Sequence, residues 1–151
     1  MPDIQVHHLG PADVGLLHGL NAVFAEAFED ARTYLDAPPS DDYCRQVLGR
    51  DHVIVLVARV QEAVVGGLVA YELFKLERAR SEIYIYDLAV AEAHRRRGIA
   101  TRLIGQLRAI AQQRGAWVVY VQADYGDDPA IALYDKLGVR EEVLHFDLPV
   151  P

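Results

Sequence analysis

Apolar residues in this chain recur with two spacings, one of period two and one near 3.6, and the switches between them lay out an order of strands and helices. Ile4 to Leu9 predicts a short first strand. From Asp13 to about Phe28, the residues Leu16, Leu17, Leu20, Val23, Phe24, Ala27 and Phe28 recur at helical spacing. Ala37-Pro38-Pro39 breaks the chain, and Ser40 can cap a short helix that ends near Gly49. Val53 to Arg59 and Val64 to Tyr71 are β-branched runs joined by Val60-Gln61-Glu62-Ala63, the pattern of a hairpin. Gly66-Gly67 inside the second run indicates close backbone packing or a bulge.

Glu82 to Val90 alternates, with Ile83, Ile85 and Asp87 on one face and Tyr84, Tyr86 and Leu88 on the other, which predicts a central strand. A helix from Gly98 to Arg114 would bury Ile99, Leu103, Leu107, Ile110 and Ala111 and stop at Gly115. Trp117 to Gln122 reads as the next strand, with Trp117 in the core. This strand–helix–strand unit predicts a right-handed parallel crossover. A last helix is expected with Asp128 as its cap, Pro129 at its first position and Gly138 just past its end. Arg140 to Phe146 is expected to form a final strand.

Composition narrows the class. A chain of 151 residues, 52% hydrophobic and 25% charged, suits one α/β domain spanning 1–151. The lone Cys44 excludes an internal disulfide and a four-thiolate metal site. Fifteen basic residues against 22 acidic ones give a net charge of −7, the opposite of a duplex nucleic-acid binder and favourable to a cationic ligand. Met1-Pro2-Asp3 lacks the basic and apolar regions of a secretory leader, and no apolar run approaches the ~20 residues of a membrane span. A cytoplasmic location without membrane partners is therefore expected. His7-His8 and His145-x-Asp147 offer metal-ligand types, but no third and fourth ligand have convincing spacing, so no metal is expected. Phosphate-loop Gly-Lys-Ser and dinucleotide Gly-x-Gly-x-x-Gly patterns are absent.

The most informative stretch is Asp87-Leu88-Ala89-Val90-Ala91-Glu92-Ala93-His94-Arg95-Arg96-Arg97-Gly98-Ile99-Ala100. An apolar strand ends, a basic loop turns at a glycine, and a helix begins at once. Backbone N–H groups are left unpaired at the helix start beside three arginines, which suits a diphosphate. A solvated basic turn is the plainer alternative. The pattern Arg95-x-x-Gly98-x-Ala100 resembles the coenzyme A pyrophosphate loop of the GNAT superfamily of N-acetyltransferases, and the order of elements resembles that fold along nearly the whole chain. The resemblance implies a central mixed sheet of six to seven strands flanked by four helices, with the fourth and fifth strands splayed. It also implies acetyl-CoA as cosubstrate. Leu88, Ala89 and Val90 would then hold the pantetheine and polarise the thioester carbonyl. Arg95, Arg96, Arg97, Gly98, Ile99, Ala100 and Thr101 would bind the pyrophosphate. Ala130-Ile131-Ala132-Leu133-Tyr134-Asp135-Lys136-Leu137-Gly138 is similar to the superfamily stretch whose tyrosine lies near the coenzyme sulfur. Tyr134 is thus a candidate acid or hydrogen-bond donor, or else a ring packed in the core.

Three longer segments are similar to the aminoglycoside 3-N-acetyltransferases of the gentamicin-modifying type. They are Ser81 to Val90, Tyr120 to Pro129 and Arg140 to Asp147. The first third resembles that branch only loosely. An ammonium must lose a proton before it attacks a thioester, and Asp87 is the candidate base, directly or through a water. An aspartate paired to a basic neighbour is the structural alternative. Glu82 is a second candidate for orienting the amine. A polycationic substrate calls for several separated carboxylates. Glu26, Glu29 and Asp30 form one group, and Asp124, Asp127 and Asp128 another, with Asp147 adding from the end. Solvated surface charges are the competing reading for each. The carboxylates favour a small cationic substrate, and the resemblance implies an aminoglycoside acetylated at its 3-amino group by direct transfer; a homodimer paired through edge strands or the final strand is expected. Acetylation of a polyamine or another small amine on the same fold is the nearest alternative. A non-catalytic acyl-CoA sensor is the second.

Overall fold

The computed structural model of the chain describes residues 3–151; Met1 and Pro2 of the Met1-Pro2-Asp3 start, whose pattern lacks that of a leader, lie outside the described residues. The sheet follows chain order. β1 (Ile4–His8), β2 (Val53–Val60), β3 (Ala63–Phe74) and β4 (Ser81–Val90) pair antiparallel, and β5 (Ala116–Val121) runs parallel to β4. Five helices accompany it: α1 (Val14–Ala27), α2 (Ala31–Leu35), α3 (Asp41–Leu48), α4 (Ile99–Arg114) and α5 (Asp128–Leu137). This is the expected α/β arrangement of the GNAT fold.

Each face of the sheet has its own core. Ile54, Leu56, Leu68, Ile83 and Ile85 pack against Leu103 and Leu107 of α4. On the other face Val55 and Val57 pack against Leu20 and Phe24 of α1 and Cys44 and Leu48 of α3. Leu20 and Phe24 lie one turn apart on α1 and are fully buried, the stripe that its spacing predicts. Ser40 accepts from the Tyr43 amide at 3.2 Å and caps α3 as expected. Gly115 ends α4 in the left-handed conformation, where glycine carries no Cβ penalty. A buried carboxylate ties the layers together. Glu72 of β3 accepts from Ser81 Oγ of β4 at 2.6 Å and from Arg114 Nη1 of α4 at 2.8 Å.

Gly67 bears out the expectation of close packing. A Cβ placed there would lie 2.5 Å from the Leu56 carbonyl oxygen and 2.6 Å from Leu20 Cδ1. The absent side chain is what lets α1 settle on the sheet.

Five expectations are corrected. No final strand forms: residues 138–151 carry no regular structure, because among the described residues no strand lies beside them to complete a ladder. Among the described residues the sheet therefore has five strands, not six or seven. Among the described residues there are five α-helices, not four, because the five-residue α2 is too short to show a periodicity. Trp117 is 54% exposed rather than buried, with the Arg80 guanidinium 4.1 Å from its ring centroid. The side-chain cap of α5 is Asp127, which accepts from the Ala130 amide at 3.5 Å, and Asp128 is the first helical residue.

The fifth correction concerns β4. Val69 pairs with Asp87 but Ala70 pairs with Ile85, so Tyr86 is an extra residue, a β-bulge. The bulge reverses the alternation of faces. Leu88 and Val90 join Ile83 and Ile85 in the core beneath α4, whereas Ala89 joins the core beneath α1. Asp87, opposite Val69, leaves the face of Ile83 and Ile85 and sits on the α1 side.

The packing at Gly67 makes a paired prediction for urea unfolding. Gly67→Ala should lose about 1–3 kcal/mol through overpacking. Gly15→Ala, on open α1 surface with nothing within 4 Å of its Cβ, should be neutral or gain up to about 1 kcal/mol. Equal effects at the two glycines would contradict the packing account.

Candidate active site

β4 outruns β5, and the site begins where they part. Their last pairing joins Ile85 to Val121, while β4 continues to Val90 with β3 alone beside it. The splay implied by the resemblance is present. Strand periodicity then says which backbone groups face the gap. The Ala91 amide donates to Val65 O at 2.8 Å, and Ala89 O lies beside Gly66, so the odd positions spend their groups on β3. Leu88 and Val90 consequently turn theirs to the open side. The Val90 carbonyl there accepts from Arg95 Nε at 3.1 Å, which pins the basic loop to the strand end. The N–H and C=O of Leu88 and the N–H of Val90 remain directed into the gap.

The loop that follows is shaped for an anion. Arg96 has φ 64° and Gly98 φ 74°, two left-handed residues separated by one, a conformation that turns successive amides toward a common concavity. No side chain caps α4 at Gly98, and its first intrahelical backbone bond is Arg102 N to Gly98 O at 3.0 Å. The amides of Ile99, Ala100 and Thr101 are thus left for solvent or a ligand. A Cβ at Gly98 would meet nothing within 4 Å, so the space above the turn is open and the glycine is required by its φ. The three arginines are exposed; Arg97 points back toward His94 Nδ1 at 3.4 Å. Unpaired strand groups followed by unpaired helix amides suit the amide-bearing arm and the pyrophosphate of coenzyme A, and the residues present fit it.

On the α1 side of the gap lies a basin of tyrosines around one carboxylate. Tyr71 and Tyr86 meet edge to face at 6.1 Å, Tyr84 and Tyr86 at 5.8 Å, and Tyr84 stacks on Tyr120 at 4.8 Å. Tyr84 Oη donates to Gln122 Oε1 at 2.8 Å. Tyr34 of α2 closes the other side, and its hydroxyl turns to Asp87. Burial raises the Asp87 pKa above the usual carboxylate range, and the hydrogen-bonding influence of Tyr34 holds it back. The Tyr34 hydroxyl is raised by burial and then by the Asp87 charge, so it stays a donor at any physiological pH.

The remaining candidates are spread around this basin. Glu82 lies on its floor, with Lys75 Nζ 3.8 Å from it, and the Tyr120 hydroxyl nearby is raised by burial and then by the Glu82 charge. Asp30 caps α2, accepts from the Thr33 amide at 3.1 Å, and bears electrostatically on Tyr34; its carboxyl is lowered by the Thr33 hydrogen bonds. Glu26 and Glu29 are exposed at the end of α1, with Glu29 at φ 52°. Asp124 and Asp127 lie in the loop between β5 and α5, whose turn is closed by Asp127 N donating to Asp124 O at 3.2 Å. Tyr134 packs against the core beneath α4, and burial, with the Asp127 charge second, pushes its hydroxyl up to about 12. Asp147 lies apart from these groups on the exposed C-terminal tail, accepting from His145 Nε2 at 2.8 Å. Tyr34 and Tyr71 went unpredicted. Tyr34 sits in the short α2, and the aromatic content of β3 and β4 read only as strand propensity.

Residues 18–139 match the family model described as "Acetyltransferase (GNAT) family". An aminoglycoside acetyltransferase from an uncultured soil metagenomic sample is similar to this chain with 56% identity and TM-score 0.97, covering 99% of both chains. A second aminoglycoside acetyltransferase of metagenomic soil origin, solved in complex with sisomicin, is similar at 28% identity and TM-score 0.91, covering 98% of this chain and 97% of that one. The curated N-alpha-acetyltransferase of Sulfurisphaera tokodaii is 37% identical over 59 residues, 38% of this chain and 35% of the relative, so the match spans about a third of that protein's length. Splayed strands, an anion-shaped turn and a match over most of the chain lead to one conclusion: this chain belongs to the GNAT family of acetyltransferases.

Proposed function

We propose that the chain acetylates the 3-amino group of gentamicin-class aminoglycosides with acetyl-CoA by direct transfer, a modification that gives antibiotic resistance. One observation carries the reading: a desolvated carboxylate, Asp87, stands in a tyrosine-lined basin beside free backbone groups of β4. The metagenomic relatives support the substrate class, since one is 56% identical and another was solved with sisomicin. The chain's excess of acidic residues, 22 against 15 basic, favours a polycation.

The geometry supports a division of labour. Amides at 98–101, with the Arg95, Arg96 and Arg97 side chains around them, would hold the pyrophosphate, and the free backbone groups of Leu88 and Val90 the pantetheine; Ala89, expected to share that role, has its backbone turned to β3 instead. When bound, acetyl-CoA supplies the acetyl group as a thioester. The Leu88 and Val90 amides facing the gap are the donors available to a developing oxyanion, which such donors stabilise by several kcal/mol. Asp87 accepts the ammonium proton, and its raised pKa makes it a better base than an exposed aspartate. Tyr134 keeps its proton at neutral pH. Its pKa of about 12 lies well above the ~8.5 of a thiol, so hydrogen-bond donation to the departing sulfur is its role and full transfer is uphill. Glu82, Glu29, Asp30, Asp124 and Asp127 bind the other ammonium groups of the substrate, and exposed Asp147 is a further candidate.

Coenzyme A release measured side by side with gentamicin, kanamycin, spermidine and a peptide amine tests the proposal. Release should be fastest with gentamicin, with the acetyl group at the 3-amino position by NMR. Release with spermidine alone would replace the substrate, and coenzyme binding without release from any amine would favour a sensor.

Two variants probe the chemistry. Asp87→Asn should lower kcat about 10²–10⁴-fold with little change in KM for acetyl-CoA; unchanged turnover would remove Asp87 as the base. Tyr134→Phe should cost less, and in kcat alone, and an intact kcat would make it a structural residue.

The pH profile provides a third test. A base with a raised pKa works only once deprotonated, so the acidic limb of kcat/KM should lie above the ~3.9 of a free aspartate. Tyr34→Phe removes the interaction that lowers Asp87, so the limb should move to higher pH. A shift to lower pH would contradict the assignment.

A further inference from the structure

We propose that Tyr71, Tyr84 and Tyr86 form an aromatic subsite for a second, non-reacting ammonium group of the acceptor, and that this subsite selects an N-methylated ammonium over a primary one. The inference rests on the reading of the acceptor as a polycationic amine. Tyr71 of β3 and Tyr84 of β4 are direct partners across the strands, so their rings stand side by side on the α1 face. The bulged residue Tyr86 meets both. Its ring lies 6.1 Å from Tyr71 at an interplanar angle of 80°, and 5.8 Å from Tyr84 at 67°. Two neighbouring rings with a third turned across them make a corner. Tyr86 is 63% exposed, so this corner opens to solvent rather than into the core. Its surroundings are aromatic as well. Tyr120 stacks on Tyr84 at 4.8 Å, and Phe24 and Phe28 hold Tyr34 at 5.6 and 5.8 Å.

Ring faces carry the negative part of the aromatic quadrupole and attract a cation. Asp87 adds full charge at this end, and its influence reaches Tyr34, Tyr71 and Tyr84. The other end of the tyrosine row differs. Glu82, beside Tyr120, already has Lys75 Nζ at 3.8 Å, and that ammonium also lies 3.4 Å from Glu77. A ligand cation is therefore drawn to the Asp87 end. Burial raises the Tyr71 and Tyr84 hydroxyls, so both rings stay neutral at physiological pH. Among the described residues the corner is poor in free hydrogen-bonding groups. The Tyr84 hydroxyl is spent on Gln122 Oε1 at 2.8 Å, and the Tyr34 hydroxyl on Asp87. A primary ammonium settling there would give up hydrogen bonds to water that ring faces do not replace. An N-methyl group spreads the charge onto C–H groups that need no acceptor and pack on those faces.

The test is titration of the full chain with tetramethylammonium, methylammonium and tert-butanol at constant ionic strength, followed through the tyrosine ring resonances by NMR. Tetramethylammonium should bind saturably, with shifts at Tyr71, Tyr84 and Tyr86, and about tenfold more tightly than either of the others. Tyr86→Leu should weaken it about tenfold, whereas Tyr86→Phe, which keeps the ring face, should not. Tyr86 is exposed, so both variants should retain the wild-type circular dichroism spectrum. Equal affinity for tert-butanol would reduce the corner to an apolar surface and overturn the proposal. So would equal affinity for methylammonium, an equal loss in the two variants, or no saturable shift at these rings. In turnover, Tyr86→Leu should raise KM for gentamicin, which carries an N-methylated amino sugar, more than for kanamycin, whose amines are primary. An equal rise would overturn the selection. The ion titration needs no turnover, so failure of the aminoglycoside reading and failure of this subsite are read separately.

Discussion

The site depends on one extra residue in β4. Tyr86 has no partner on β3, and the register on either side of it differs by that residue. Without the bulge, Asp87 would share the face of Ile83 and Ile85 and lie in the aliphatic core beneath α4. With it, Asp87 emerges among tyrosines on the α1 face, while Leu88 and Val90 keep the sheet sealed beneath α4. The bulge also falls where β5 stops pairing, just after Ile85 and Val121. The carboxylate proposed as base and the free backbone donors therefore arise from consecutive residues of one strand, on rigid scaffold rather than on loops.

Electrostatics sharpen what the backbone sets up. Burial of Asp87 makes its carboxylate more basic than it would be in water, and the Tyr34 hydroxyl limits that rise. The basin has aromatic walls and few cations, which leaves the acid-rich surface to set the local potential. Across the sheet the balance reverses. The turn between β4 and α4 concentrates Arg95, Arg96 and Arg97 beside unpaired amides. A short length of β4 thus separates a region suited to cations from one suited to anions, the division that the proposed transfer from acetyl-CoA to a cationic amine requires.

Much of this was legible in the sequence for physical reasons. Long elements announced themselves: α1 and α4 by apolar stripes, β2 and β3 by β-branched runs, the basic turn by Gly98 between strand and helix. Gly67 signalled close packing correctly. Failures came where the signal is non-local. Strict alternation placed Asp87 on the wrong face because a bulge depends on the pairing of two strands, which neither strand reveals alone. Tyr34 was missed because a five-residue helix has no period to read. Trp117 was assigned to the core because its strand is apolar throughout, and the structure shows that strand at a bare edge. Arg140 to Phe146 has the composition of a strand, but composition does not supply a neighbour.

Residue-resolved amide hydrogen exchange by NMR, with and without coenzyme A, tests the central claim most directly. The account predicts that in the free protein the Ala89 and Ala91 amides, engaged with β3, exchange slowly while those of Leu88 and Val90 exchange fast. Coenzyme A should then protect Leu88 and Val90 together with Ile99, Ala100 and Thr101. Slow exchange at Leu88 in the free protein, or coenzyme binding that leaves Leu88 and Val90 unprotected, would contradict the open-strand site on which the proposed chemistry rests.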